Sequence, residues 1–188
     1  RMKLTYRIAI ILAALGLLSG ALTPALASTT TLTAEADSFV YSATPNAKKG
    51  SAALLKVNDD IKRSYFRFNL SALPAGETIT QATLRLFATT KPKCSLGAEI
   101  LRAATETWAE SSITWNNQPG TTGSAVTSVA SWTANSYVSF DVTSAVSSSG
   151  TISFVVRHPS GCTPTGDATF QSREATNKPQ LVVDTTPG

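Results

Sequence analysis

The commonest pattern along this chain is alternation of apolar and polar residues. In residues 64–70, Phe66, Phe68 and Leu70 fall on one face, and Tyr65, Arg67 and Asn69 on the other. That period of two marks a half-buried strand. Residues 82–86 repeat it, with Arg85 outward, and residues 137–142 follow suit. In residues 151–157, Ile152, Phe154 and Val156 share the inward face. Shorter strands are predicted at residues 31–36, 38–41, 53–57, 98–103, 168–171 and 180–183. Turn-forming residues punctuate these runs, among them Pro45-Asn46, Asn58-Asp59-Asp60, Pro74-Ala75-Gly76, Pro119-Gly120, Gly150 and Pro179. No window of twelve residues carries a helical period. Residues 141–146 give a short helical signal, with Thr143 or Asp141 in the N-cap role. Residues 120–130, rich in Gly, Ser and Thr, read as a long surface loop. About ten strands, each with one apolar face, need two sheets packed together. The expected fold is all-β: a jelly-roll β-sandwich of two antiparallel sheets, forming a single domain over residues 28–188.

The first residues follow another pattern. Arg1, Lys3 and Arg7 precede an uncharged apolar run over residues 8–18; Pro24 breaks it, and Ala25-Leu26-Ala27 follows. This is the three-part layout of a cleavable signal peptide, predicted over residues 1–27. Secretion is therefore expected. The competing reading, an uncleaved anchor, has just enough apolar length to cross a bilayer, but Pro24 and the small residues before the cleavage point oppose it. Beyond the leader no membrane association is expected. Three of the 16 Lys and Arg lie in residues 1–27, which leaves 13 against 12 acids, a net charge of +1. No global field draws nucleic acid, and none is expected as a partner.

The two cysteines, Cys94 and Cys162, each sit in a turn-rich stretch. In an oxidising compartment an even pair reads most simply as a disulfide. The alternative, a catalytic or metal-binding thiol, finds little support: His158 is the single His and there is no Cys-x-x-Cys.

Several segments taken in order resemble one family, the DNRLRE-type domain, also described as carbohydrate-binding module family 96. They are Ala36-Asp37-Ser38-Phe39-Val40, residues 63–74 from Arg63-Ser64-Tyr65 to Leu73-Pro74, residues 79–86, and Trp108-Ala109-Glu110-Ser111-Ser112-Ile113-Thr114-Trp115-Asn116. Phe140-Asp141-Val142-Thr143, Phe170-Gln171-Ser172-Arg173-Glu174 and Pro179-Gln180-Leu181 complete the order. Asn69 stands where the family usually has Asp. The resemblance implies a jelly-roll sandwich that binds polysaccharide, in some members acidic chains such as alginate.

The candidate chemistry fits that implication. Outward-facing Tyr65, Arg67, Arg85 and Arg157 would form a cationic row if their strands shared a sheet, and Arg forks pair bidentately with carboxylates. The bland alternative pairs these arginines with acids such as Glu99. Trp132 is a further candidate contact, and Lys48 and Lys49 would extend a basic rim. The tightly spaced segment from Trp108 to Trp115 reads as a turn fixed by Glu110 and Asn116, with its rings capping the core. No cofactor is required. A structural calcium is conceivable on Asp37, Asn58, Asp59 and Asp60, with Asp167, although the Asn58-Asp59-Asp60 triplet also suits a plain hairpin. Ser172-Arg173-Glu174 reads as a local ion pair or a set of strand-end hydrogen bonds. One His gives no triad, and no carboxylate pair declares a glycosidase, so a non-catalytic module is expected. The leading expectation is recognition of an extracellular polysaccharide. The rival is a structural subunit that self-associates through an exposed strand edge.

Overall fold

The computed structural model describes residues 26–58 and 61–188. Most of the expected leader, residues 1–25, and Asp59 and Asp60 lie outside the described residues. Eleven strands are described, in chain order: β1 (Ser28–Thr33), β2 (Ala36–Tyr41), β3 (Leu54–Val57), β4 (Lys62–Asn69), β5 (Glu77–Ala88), β6 (Ala98–Ala103), β7 (Thr121–Val129), β8 (Ser136–Asp141), β9 (Thr151–Arg157), β10 (Ala168–Gln171) and β11 (Gln180–Pro187). The helical signal near residue 143 becomes a single 3-10 turn, Thr143–Ala145, whose Thr143 N–H and hydroxyl both donate to Asp141 Oδ1. Among the described residues, no helix is long and apolar enough to cross a membrane.

The strands form two antiparallel sheets packed as a sandwich. Sheet one runs β1-β11-β5-β10-β3, with β8 also paired with β5. Sheet two runs β2-β4-β9-β6-β7. The alternating apolar residues meet between them: Leu84, Leu86, Phe140, Phe170, Leu181 and Val183 from sheet one face Phe66, Phe68, Ile100, Phe154 and Val156 from sheet two. Every one of these is fully buried. Burying a large apolar side chain stabilises by roughly 1.5–3 kcal/mol, so this layer dominates the fold.

Residues 120–130 are not a loop. They contain β7, which pairs with β6 at the edge of sheet two. Its residues are exposed or half-exposed on both faces, so no apolar alternation was there to reveal a strand.

Cys94 and Cys162 form a disulfide, with Cα atoms 5.8 Å apart. It joins the connection after β5 to the one after β9. The Thr165 N–H donates to the Lys93 carbonyl beside it at 2.8 Å.

Asn58 follows β3, forms an isolated bridge with Lys62 at the start of β4, and its side chain donates to Asp167 Oδ1 at 2.8 Å. Lys62 Nζ holds both Asp167 oxygens at 2.7 and 2.8 Å, and Lys56 lies 3.6 Å away. Burial alone would raise the Asp167 carboxyl. The Lys62 and Asn58 hydrogen bonds and the lysine charges outweigh it and hold the group below its ordinary value. A carboxyl depressed in the folded state stabilises at pH above its unfolded pKa, and the gain is lost as pH falls through the folded value. Asp167→Asn is therefore expected to cost about 1 kcal/mol near neutral pH and clearly less near pH ~2. Urea melts of both proteins at the two pH values check this. An equal cost at both would refute the ionic origin.

Candidate functional site

The two outer faces differ in kind. The outer face of sheet two is not open to solvent. Tyr65, Val155 and Leu101 align across β4, β9 and β6. With Ala36, Val40 and Ala103 they form a second apolar cluster, closed over by Trp108 and Ile113, with Trp115 packed at its margin. The covering residues come from the long connection between β6 and β7. Trp108 Nε1 donates to Ser153 Oγ at 3.0 Å, and its ring meets Tyr65 edge-on at 5.9 Å.

This corrects the expected cationic row. Tyr65 follows the outward alternation, yet it is fully buried, because the outward side of its sheet carries a cover. Its hydroxyl donates to the Pro119 carbonyl or to Gln118, each at 2.8 Å. Burial pushes the phenol up to about 12, against the opposing charges of Arg63 and Arg157. Arg67 is turned into the cover: its guanidinium lies over Trp108 at 5.1 Å, donates to the Trp108 and Glu106 carbonyls, and pairs with Glu35 at 2.6 Å. Arg157 pairs with Glu99 at 2.7 Å. Arg85 lies in β5, in the other sheet. The four residues do not converge. Trp132 is not a free contact either: Nε1 donates to the Thr90 carbonyl at 2.8 Å, and the ring packs on Phe170 at 5.7 Å.

The covering segment is fixed as a turn, as expected, but partly by other groups. Glu110 Oε1 accepts the Asp37 N–H at 2.8 Å. Asn117, not Asn116, accepts the Thr114 N–H and hydroxyl at 2.6 and 3.0 Å, while Asn116 reaches across to Asn46. Gly50 sits against this turn; a Cβ there would collide with the Glu110 backbone.

Of the expected calcium set, the described members Asp37 and Asn58 do not come together. Asp37 and Asn58 belong to separate networks, and Asp59 and Asp60 lie outside the described residues. Asp37, in register with Phe66, is fully buried. Burial pushes its carboxyl up to about 7; the Arg173 N–H lowers it, and the charges of Glu174 and Glu110 raise it further. Ser172-Arg173-Glu174 makes both kinds of contact foreseen for it, since Ser172 donates to Glu174 at 3.0 Å and Arg173 pairs with Glu174 at 3.8 Å, and Arg173 also reaches Glu110 at 2.9 Å.

The outer face of sheet one is open. Register places Gln180, Arg85 and Ser139 side by side across β11, β5 and β8, with Val182, Thr83 and Asp141 in the next row but one. Phe87 and Tyr137, also paired in register, meet edge-on at 5.3 Å. Arg85 lies over the Tyr137 ring at 4.6 Å and donates to Gln180 Oε1 at 3.1 Å. The Tyr137 hydroxyl donates to the Lys178 carbonyl at 3.2 Å. Among the described residues, Arg85 has no carboxylate within ion-pairing distance. Phe87 and Tyr137 escaped the sequence reading. Their alternation with Leu86 and Val138 was visible, but only the pairing of β5 with β8 puts the two rings together. A half-exposed guanidinium beside two half-exposed rings and a row of hydroxyl and amide groups can hold a flat, polar, anionic ligand.

Residues 28–185 match the family model described as carbohydrate-binding module family 96. The search among curated proteins finds no match. The family match favours carbohydrate binding over a purely structural subunit.

Proposed function

The chain belongs to carbohydrate-binding module family 96, and on that premise we propose that it is a secreted, non-catalytic module that holds an acidic extracellular polysaccharide on the outer face of sheet one. A sugar ring would lie against Tyr137 and Phe87, whose exposed faces suit its apolar C–H surface. A uronic carboxylate would take the fork of Arg85, while Gln180, Ser139 and Thr83 would hydrogen-bond ring hydroxyls. The observation that carries this reading is Arg85 itself: among the described residues it is steered by a ring and an amide, and no acid neutralises it. Arg67 and Arg157, by contrast, already have Glu35 and Glu99.

The test is affinity electrophoresis of the protein on alginate, polygalacturonate and a neutral glucan. The two acidic polymers are expected to retard it, and more weakly as salt rises. Arg85→Ala is expected to weaken that retardation at least about tenfold, the loss of one charge-assisted contact. Tyr137→Ala is expected to weaken it also, while Arg157→Ala leaves it intact. Undiminished retardation of Arg85→Ala would remove the site. Equal retardation on the neutral glucan would remove the acidic specificity.

A further inference from the structure

We propose that Asp37, Glu110 and Glu174 form a calcium site where the edge of sheet two meets the turn after β10. The three carboxylates each bring one oxygen to a point where all lie within 4.8 Å of one another. Calcium takes oxygen ligands at about 2.3–2.6 Å, so oxygens of one coordination shell lie up to about 5 Å apart. The spacing suits one ion.

A cluster of acids alone would say little, since many stand without an ion. Here a second observation points to a ligand. Asp37 is fully buried, and its Oδ1 has no hydrogen-bond partner. A buried carboxylate oxygen normally has a donor. Its other oxygen, Oδ2, is taken by the Arg173 N–H at 2.7 Å. That bond fixes the carboxylate and leaves Oδ1 with its lone pairs unused.

The charge count agrees. Arg173 is the guanidinium in contact with the cluster, 2.9 Å from Glu110 Oε2 and 3.8 Å from Glu174 Oε1. With Asp37 ionised, three carboxylates against one guanidinium leave two negative charges, which a divalent cation would neutralise. Access is present as well. A surface hollow of about 320 Å³ opens onto Glu110 and Glu174, with Lys48, Gly50, Ser51 and Ser111 completing its lining. Lys48 makes no ion pair with the acids. The ligands come from β2, from the cover over sheet two and from the β10–β11 connection. Calcium there would tie three segments remote in sequence. This inference is independent of the polysaccharide reading, because it is measured without any glycan.

The test uses the full chain and calcium chloride alone. The melting temperature in about 5 mM calcium is expected to exceed that in chelator by about 4 °C or more, with one ion bound per chain by titration calorimetry. Glu174 is exposed, so Glu174→Gln keeps the fold; it is expected to weaken calcium binding at least tenfold. Asp37→Asn is expected to do the same while raising the melting temperature measured in chelator. Equal melting in calcium and chelator with no heat of binding would overturn the site. So would a calcium response that both variants retain in full.

Discussion

Trp108→Ala is expected to lower the unfolding free energy by about 3–5 kcal/mol, the usual cost of emptying an aromatic site in a packed interior. Trp108 is the main closure of the second apolar cluster: it is 7% exposed, and it lies against the buried Tyr65. Removing the ring leaves Ser153 without its donor and Arg67 without the ring beneath it. Tyr65 and Val155, on the outward side of sheet two, would then face water. Guanidinium denaturation followed by tyrosine and residual tryptophan fluorescence measures the loss. Trp108→Phe should cost less, because it keeps most of the apolar area and gives up only the hydrogen bond, about 1 kcal/mol. Retention of the folded variants on an acidic polymer should match the wild type, since Trp108 is not on the open face. A cost below about 1 kcal/mol for Trp108→Ala would mean that the segment is not a structural cover.

The second large effect is expected from the disulfide. Replacing Cys94 and Cys162 together by Ser should cost about 4 kcal/mol, as the chain-entropy account gives for a loop of this length; the separation is 68 residues. The bond links two connections that carry little regular structure of their own. Without it, the unfolded chain regains freedom, while the folded chain loses little besides the bond. The melting temperature should fall by about 10 °C. Reductant should lower the wild type by a similar amount and leave the double variant unchanged. A wild type indifferent to reductant, with intact mass showing the bond broken, would contradict the expected contribution.

Much of the architecture was readable one strand at a time. Phe66, Phe68 and Leu70 announced their shared face, as did Leu84 with Leu86 and Phe154 with Val156, because a two-residue period reports local exposure directly. β7 gave no such report, since at the edge of its sheet it packs only Val126 and Val129, half-buried, against the core. Tyr65 shows the opposite failure. Its outward position was read correctly and its exposure wrongly, because a cover supplied by residues forty and more positions away changes what outward means. The Glu110 acceptor and the Cys94–Cys162 bond were legible from residue type and setting. Which arginine stays unpaired was not, since Glu35 and Glu99 reach Arg67 and Arg157 only across the sheet.

Taken alone, then, the order of residues determined an all-β sandwich, its inward side chains, its disulfide and its family. These follow from local alternation, turn chemistry and residue identity. Only the tertiary structure decided that one outer face is closed and the other open, that Arg67 rather than Arg85 has a carboxylate partner, and that Asp37 meets Glu110 and Glu174. The physical reason is that availability is set by neighbours. Burial, ion pairing and coordination join groups separated by tens of residues, and no local period encodes which of them will touch.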